Sequence, residues 1–329
     1  MATHLAVLRL LADGEVHSGA VMALELGVSR TAIWKALEKL AVLGIEVETL
    51  RGRGYRLAAP LELLDAARIR SALSPWALSA IDEIEIHTSI ASTNSHLMQL
   101  GKTTAVNGRV CLAEHQDQGR GRHGRTWVSP FGRGILLSVL WRFSFGLAGL
   151  TGLSLAVGAA TAAALQDRGI RDIALKWPND LLWQGRKLAG LLLEAAGEAH
   201  GPSYAVVGLG VNLNLSPHQM AQIAQPCADL AAALPDGRLD RNRLTATLIE
   251  ALVAGLDRFA REGLAPFLPI WNALDRYRGR SIVITVGDRE TAGVHAGIGP
   301  DGSLRLRTPT GEELFQAGEV SLRPATFGE

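Results

Sequence analysis

The sequence predicts an α+β protein built from three successive parts. Strand-like and helix-like runs alternate through the middle of the chain, whereas residues 1–60 are mainly helical in pattern and residues 278–329 contain short alternating strands. The chain has 329 residues, which exceeds the size at which a single hydrophobic core usually stops growing. We therefore expect three domains, at residues 1–60, 61–277 and 278–329.

The first part consists of three short helical patterns followed by a hairpin. Ser18 and Ser29 are each placed to cap a helix, and a glycine ends the helix between them. In the helix after Ser29, the apolar residues Ile33, Leu37 and Leu40 fall on one face. A helix, a turn containing glycine and a second helix form the pattern that many proteins use to read DNA.

The candidate DNA contacts lie on the outer face of the third helix and in the hairpin, or wing, over 47–57. They are Arg30, Thr31, Trp34, Lys35, Arg51, Arg53 and Arg56. The whole chain carries a net charge of +1, so it is not a globally basic protein and any DNA-binding surface is local. One such module should bind weakly, so DNA binding predicts a dimer on paired half-sites. The alternative is a helix-turn-helix that serves only as an interaction module or scaffold.

The central part predicts a mixed sheet. Strand-like runs occur at 84–86, 110–113, 135–141, 173–176, 188–194 and 204–213, and short turns separate several of them. Consecutive strands joined by turns favour a mixed α+β sheet over a doubly wound parallel one. The uncharged run 143–165 is long enough to span a membrane, but it is rich in small residues, and we interpret it as a buried core helix.

The last part predicts a small β-barrel, with strands at 281–286, 303–307 and 319–323. The two cysteines, Cys111 and Cys227, have no metal-binding spacing and are too few for a disulfide framework, which fits a reducing compartment. The N-terminus lacks the features of a signal peptide.

The segment from Gly119 to Trp127, GRGRHGRTW, is the most informative motif of the chain. Its glycines allow the backbone to approach a ligand closely, and its arginines offer paired donors that match carboxylate or phosphate oxygens. The segment also satisfies G-x-G-x-x-G, but no helical pattern follows it, which argues against a dinucleotide-binding turn. It therefore predicts a cationic lid over an anion; the alternative is a solvated loop.

Three further motifs are weaker when taken singly. Lys176 ends an apolar strand in KWPND, where it is placed to meet an anion at a cleft. Ser92, Thr93 and Asn94 could contact a polar ring, but taken alone they are better explained as a helix N-cap. The segment GLGVN at 208–212 fits either a tight turn or a nucleotide contact.

The motifs closely resemble those of the biotin–protein ligases in their order along the chain, which is Ser92-Thr93-Asn94, GRGRHGRTW, KWPND, RKLAG at 186–190 and GLGVN. The N-terminal module makes the chain resemble the bifunctional form, which is also the biotin operon repressor. The resemblance implies a winged helix-turn-helix, a catalytic domain similar to class II synthetases and an SH3-like C-terminal barrel. It also implies biotin, ATP and Mg²⁺ as ligands, a biotin carboxyl carrier protein and operator DNA as partners, a homodimer, and a cytoplasmic location.

The resemblance also assigns site residues. For biotin they are Ser92, Thr93, Asn94, Gln116, Arg120, Gly121, Arg122 and Lys176, of which Lys176 and Arg122 are the catalytic candidates. For the adenylate they are Arg125, Trp127, Lys187 and Asn212. His123 stands where members of the family often carry arginine, and no carboxylate cluster identifies the Mg²⁺ ligands. Two alternatives stay open, a ligase whose winged domain does not bind DNA and a repressor with an inactive catalytic domain.

Overall fold

The computed structural model describes residues 3–234, 240–316 and 320–324. The first part contains α1 (Thr3–Leu11), α2 (Gly19–Glu25), α3 (Arg30–Val42) and the antiparallel hairpin β1 (Val47–Leu50) and β2 (Gly54–Leu57). The side chains of Ser18 and Ser29 accept hydrogen bonds from the N–H groups of Ala20 and Ala32, so both predicted caps are confirmed. The predicted winged helix-turn-helix is therefore present.

The winged domain shares its core with the rest of the chain. Its helices bury Leu8, Ile33 and Leu40, and the same cluster includes Leu61 and Phe131, which lie outside the winged domain in sequence. Phe131 follows the Gly119–Trp127 segment by only a few residues. The packing of the winged domain is therefore connected to the end of the predicted lid.

The central part is a seven-stranded sheet of order β3-β4-β5-β9-β8-β7-β6, in which only β3 and β4 are parallel. The predicted mixed sheet is confirmed. Its elements are α4 (Ala66–Ser71), α5 (Pro75–Ala80), β3 (Glu83–His87), α6 (Thr93–Thr103), β4 (Arg109–Ala113), β5 (Gly134–Phe143), α7 (Leu153–Asp167), β6 (Ile173–Lys176), β7 (Asp180–Trp183), β8 (Arg186–Gly197), β9 (Ser203–Asn212), α8 (Pro217–Ala221), α9 (Leu230–Ala233), α10 (Arg241–Glu262) and α11 (Leu268–Leu274), with short 3₁₀ turns at Arg122–Gly124, Leu147–Leu150 and Ala265–Phe267.

The two faces of this sheet differ. Ser138 and Leu140 of β5 face α6, whereas Leu137 and Val139 join the large core that contains α7 and α10. Because side chains alternate along a strand, the polar Ser138 falls on the α6 side and not in the main core. Ser138 therefore provides a polar side chain on the α6 side of the sheet.

The uncharged run predicted as one helix over 143–165 is divided in the structure. Phe143 ends β5, and the α-helix begins only at Leu153, after the αL residue Gly152. By length and composition alone, Leu147–Asp167 would pass as a membrane span. Leu155, Ala159 and Ala162 are nonetheless buried in the core, so α7 is packed as predicted for a core helix.

The last part is a five-stranded antiparallel sheet of order β13-β12-β11-β10-β14. Its strands are β10 (Ser281–Val286), β11 (Arg289–Ile298), β12 (Leu304–Thr308), β13 (Gly311–Phe315) and β14 (Val320–Pro324). Glu319, with which the last predicted strand begins, lies outside the described residues. The sheet docks on the central domain through a buried contact of His295 Nε2 with Asp275 Oδ2 at 2.7 Å.

Candidate functional site

One cleft opens on the α6 side of the central sheet. It is lined by the lid, which we define as residues 119–127, by the first turn of α6, by the β6–β7 connection and by the middle of β8 and β9. All eight residues predicted for biotin line it, as do Arg125, Trp127 and Lys187. Asn212 lines an adjoining cavity together with these last three residues.

The lid is a hairpin. Gly121 N–H donates to Arg125 O at 2.7 Å, and Trp127 N–H donates to Gly119 O at 2.9 Å. His123 sits at the tip in the left-handed region, with φ 56°. Histidine is one of the residue types found there more often than most, and its exposed ring lines the cleft. The lid therefore points its arginines along the cleft from a compact turn.

The lid and the KWPND segment meet directly. Arg122 Nη1 donates to Asn179 Oδ1 at 3.3 Å, and Asn179 Nδ2 donates to Leu191 O at 2.6 Å. At the part of the cleft where biotin binding is predicted, Arg120 Nη2 donates to Ser95 Oγ at 2.7 Å and lies 3.4 Å from Glu194 Oε1. The two motifs that the sequence placed about fifty residues apart therefore belong to one site.

Lys176 ends β6 at the floor of this cleft. Burial lowers the pKa of its ammonium group, and the charge of Asp180 acts against that lowering. Within the described residues, Lys176 Nζ has neither a hydrogen bond nor an ion pair. A partly buried cation without a partner is a group that an incoming anion would stabilise.

Lys187 is placed differently. Its Nζ lies 2.8 Å from Asp180 Oδ1 and 5.6 Å from the centre of the Trp127 ring. This arrangement combines an ion pair with a cation–π contact, so Lys187 and Trp127 fix each other's positions. It also ties the lid's last residue to β8, beside the adjoining cavity.

The first turn of α6 supplies a connected set of polar groups. Ser92 caps the helix by accepting from Ser95 N–H, so the N-cap alternative is confirmed while the residue also lines the cleft. Gln116 Oε1 accepts from Thr93 N–H at 2.7 Å and from Thr93 Oγ1 at 3.0 Å. These bonds hold the Gln116 amide against the helix start.

Asn94 is held by three bonds. Its Nδ2 donates to Leu192 O at 3.2 Å and to Glu194 Oε2 at 3.0 Å, and its Oδ1 accepts from Ser138 Oγ at 2.6 Å. Sequence reasoning missed Ser138, although a single serine inside the apolar run 135–141 was a usable signal. A buried hydroxyl in such a strand needs partners, and here they are Thr93 and Asn94.

Glycines of β8 and β9 make room for these side chains. A Cβ added at Gly208 would lie 2.2 Å from Asn94 Oδ1, and one at Gly210 would lie 2.6 Å from Trp127 Cε2. The tight-turn interpretation of GLGVN is wrong, because the segment lies inside β9, paired to both β5 and β8. Its glycines instead form the floor of the cleft.

Asn212 ends this segment with its amide engaged. Its Nδ2 donates to Lys187 O at 3.3 Å and to Ala228 O at 3.2 Å. The side chain is buried, so it also shapes the wall of the adjoining cavity.

A magnesium ion would find one carboxylate here. Among the described residues that line the cleft, Asp180 is the only acidic side chain. Mg²⁺ is usually held by one or two carboxylates together with substrate phosphates and water. Asp180 could therefore bind Mg²⁺ only together with the phosphates of the substrate. The Asp180 oxygens are partly engaged by Lys187, which would have to turn towards the phosphates.

The seven residues predicted to contact DNA lie on α3 and on the β1–β2 hairpin of the winged domain. All seven are exposed, and Trp34 exposes 55% of its surface. Arg56 Nε is paired with Glu48 Oε2 at 2.7 Å, whereas no ion pair involves Arg30, Lys35, Arg51 or Arg53 among the residues that the structure describes. These four are therefore the cations most available to a phosphate backbone.

Three family models match the chain in sequence order. An HTH domain model matches residues 3–56, the model of the biotin/lipoate A/B protein ligase family matches 87–212, and the biotin protein ligase C terminal domain model matches 278–323. The biotin protein ligase from Aquifex aeolicus in complex with biotin and ATP has the same fold over 74% of this chain and 100% of its own, with a TM-score of 0.62 and 24% identity.

Two curated relatives extend this comparison. The biotin–[acetyl-CoA-carboxylase] ligase of Paracoccus denitrificans is 33% identical over 70% of this chain and 96% of its own length. The bifunctional ligase/repressor BirA of Salmonella typhimurium is 40% identical over 322 residues, which is 98% of this chain and 98% of that protein. With a winged domain, a ligase cleft and a C-terminal sheet in the same order, the chain belongs to the biotin–protein ligase family and to its bifunctional ligase/repressor group.

Proposed function

We propose that this protein is an ATP-dependent biotin–protein ligase and a biotin-responsive repressor of biotin synthesis genes. The observation that carries the ligase assignment is the meeting of the lid and the KWPND segment across one cleft, with Lys176 at its floor. The repressor assignment rests on the winged domain with its exposed cations and on the relatives that share it. We divide the chain functionally at 1–60, 61–277 and 278–329.

In the first step, a carboxylate oxygen of biotin attacks the α-phosphorus of ATP. The bond from that phosphorus to the bridging oxygen breaks, pyrophosphate leaves, and biotinyl-5′-AMP remains. Both reactants are anions, so the site must hold like charges together and stabilise the charge that builds up on phosphorus. Lys176 is the group we assign to the carboxylate and the α-phosphate, and Arg122 approaches from the lid.

The polar set at the start of α6 takes the biotin ring. Ser92, Thr93, Asn94 and Gln116 contact its polar atoms, and Arg120 and Gly121 close over its acid end. Arg125, Trp127, Lys187 and Asn212 belong to the nucleotide side, where the adjoining cavity lies. Asp180, together with the phosphates, would hold Mg²⁺, which would neutralise charge on the leaving pyrophosphate.

In the second step, the ε-amine of a lysine on a carrier protein attacks the acyl carbon of the adenylate. The amide bond forms, AMP leaves with the electron pair of the acyl–oxygen bond, and the amine loses a proton to solvent. The lid must keep water from the mixed anhydride until the carrier arrives. The carrier is a biotin carboxyl carrier protein of acetyl-CoA carboxylase, and the reaction takes place in the cytoplasm.

The adenylate is also the signal for repression. Gly-rich lids commonly become ordered when a ligand supplies the anion that they bind, and the lid here is followed closely by Phe131, which packs in the winged domain. Biotinyl-5′-AMP then supports a homodimer that places two winged domains on a paired operator. If affinity for operator DNA were independent of biotin plus ATP, this coupling would be wrong.

A second candidate is a ligase whose winged domain does not bind DNA. Arg30, Lys35, Arg51 and Arg53 favour DNA binding, because the described residues provide them with no intramolecular ion pair. Lys176 and the complete lid disfavour the opposite alternative, a repressor without catalytic activity.

The test uses labelled biotin, ATP, Mg²⁺ and a carrier domain. We expect label on the carrier with the natural sequence and its loss in Lys176→Ala. Absence of label with the natural sequence would refute the ligase assignment. A gel-shift titration with operator DNA, with and without biotin and ATP, separates the two candidates.

A further inference from the structure

A second cluster of ligand-type side chains lies on the same face of the sheet, one strand beyond the cleft. His87 on β3, His96 on α6 and Cys111 on β4 bring one ring nitrogen each, and one sulfur, within 4.8 Å of one another. No spacing in the sequence indicates this group, because its members come from three elements that only the fold brings together.

Glu85 contacts both histidines of the cluster. Its Oε2 lies 2.9 Å from His96 Nε2 and 3.4 Å from His87 Nε2, so both imidazoles converge on one carboxylate oxygen. Glu85 pairs in register with Cys111 across the parallel β3–β4 ladder, which places the two side chains on one face. The other carboxylate oxygen of Glu85 accepts from Arg109 Nη1 at 3.0 Å, so it is held in position from behind.

We propose that Glu85, His87, His96 and Cys111 form a binding site for a zinc-type divalent cation. Two imidazoles, one thiolate and one carboxylate are the ligand types that zinc takes in four-coordinate sites. Tetrahedral zinc needs its ligand atoms about 3.3–3.6 Å apart, so His87, His96 and Cys111 must move by about 1 Å to close on a metal, and the Glu85 carboxylate must turn from the imidazoles to the ion. His87 and His96 are only half-buried, which leaves both the freedom to turn and a path for the ion.

The charges in this region suit a divalent cation. When the thiol binds the metal, it releases its proton, so a Cys111 thiolate and the Glu85 carboxylate together neutralise a 2+ ion. The one nearby cation, Arg109, is already matched by Asp82, at 2.8 Å, and by Glu83. The alternative is that the cluster only forms hydrogen bonds between histidine and Glu85. That role would need neither the second imidazole nor the buried sulfur of Cys111.

A metal at this site would crosslink α6 to strands β3 and β4 of the sheet. Cys111 pairs with Ser138 across the β4–β5 ladder, and Ser138 bonds to Thr93 and Asn94 at the first turn of α6. The cation would therefore hold the helix whose start we assign to biotin, a consequence that rests on the proposed function. The metal site itself does not depend on that assignment.

The test is a Zn²⁺ titration of the full chain after treatment with a chelator, read by competition with a chromophoric chelator. We expect one high-affinity equivalent per chain, a rise in Tm on binding, and sulfur-to-metal charge-transfer absorption with Co²⁺ as the probe. His96→Gln and Cys111→Ser should each weaken Zn²⁺ binding by about 10- to 100-fold or more.

Matched controls are His218→Gln and Cys227→Ser, which replace the same residue types away from the cluster. They should retain the affinity of the natural sequence, and circular dichroism of the metal-free variants checks that each is folded. Lack of a stoichiometric site, or equal affinity in the His96, Cys111 and control variants, would overturn the proposal. Because the readout is metal binding, a failure of the ligase assay would leave this result unaffected.

Discussion

Gly208→Ala is predicted to damage the biotin side of the cleft without altering any residue that we assign to a ligand. A Cβ at this position would lie 2.2 Å from Asn94 Oδ1 and 2.9 Å from Asn94 Cγ, whereas an ordinary contact needs at least 3.4 Å. The backbone of Gly208 does not have a positive φ, so alanine causes no strain of its own. Asn94 must therefore move by more than about 1 Å, which is enough to break hydrogen bonds.

The size of the effect follows from what Asn94 loses. It makes two neutral hydrogen bonds, worth about 1 kcal/mol each, and one bond to Glu194, worth about 1.5–3 kcal/mol. Water entering the cleft replaces part of this, so we expect a loss of about 2 kcal/mol in unfolding free energy. For biotin, removal of the Asn94 amide from the site should cost about 1–3 kcal/mol, or about 5- to 150-fold in affinity.

Isothermal titration calorimetry measures the affinity of Gly208→Ala for biotin, and Gly210→Ala serves as the comparison variant. A Cβ at Gly210 meets the Trp127 ring at 2.6 Å, so that variant should weaken ATP binding more than biotin binding. Gly208→Ala combined with Asn94→Ala should be no less stable than Gly208→Ala and should bind biotin no more tightly, because the collision is relieved while the Asn94 amide and its hydrogen bonds stay absent. If Gly208→Ala bound biotin as tightly as the natural sequence, the placement of biotin beside Asn94 would be refuted.

Three further predictions concern charge. Burial lowers the pKa of Lys176, so its ammonium form is lost at a lower pH than that of an exposed lysine. The affinity for biotin plus ATP should therefore fall as the pH rises through that pKa, and it should fall less in Lys176→Arg. Identical profiles of affinity against pH in the two proteins would contradict this. Glu114→Gln leaves the buried Arg241 without its carboxylate partner and should lower the free energy of unfolding by about 3–5 kcal/mol in a denaturant titration; a loss under about 1 kcal/mol would show that the pair is dispensable. Arg53→Ala should reduce the salt slope of operator binding by about 1, whereas Arg56→Ala, already paired within the wing, should have a smaller effect; equal effects would argue against phosphate contact by Arg53.

Local signals in the sequence were sufficient for the winged domain. Ser18 and Ser29 cap helices through bonds to residues two or three positions away, so the information lies within one turn. The start of α7 was misplaced, because the strand β5 and the helix are equally apolar and only the sheet pairing distinguishes them.

The site was predicted in its parts but not in its assembly. The lid and KWPND motifs indicated an anion site, yet the contact of Arg122 with Asn179 depends on the fold. GLGVN was ambiguous, because glycine signals a turn locally, whereas here the missing side chains make space for Asn94 and Trp127. Ser138 and the His87–His96 cluster depend on strand register and on helix docking, which a single sequence does not encode visibly.

We propose that biotin is joined to AMP in one cleft, which the lid closes and at the bottom of which Lys176 lies. The most direct measurement is pyrophosphate release from ATP in the presence of biotin and Mg²⁺, without a carrier, together with mass-spectrometric detection of biotinyl-5′-AMP. We expect one equivalent of enzyme-bound adenylate with the natural sequence and a large loss of rate in Lys176→Ala. Adenylate formation at an unchanged rate in Lys176→Ala, or no adenylate from the natural sequence, would contradict it.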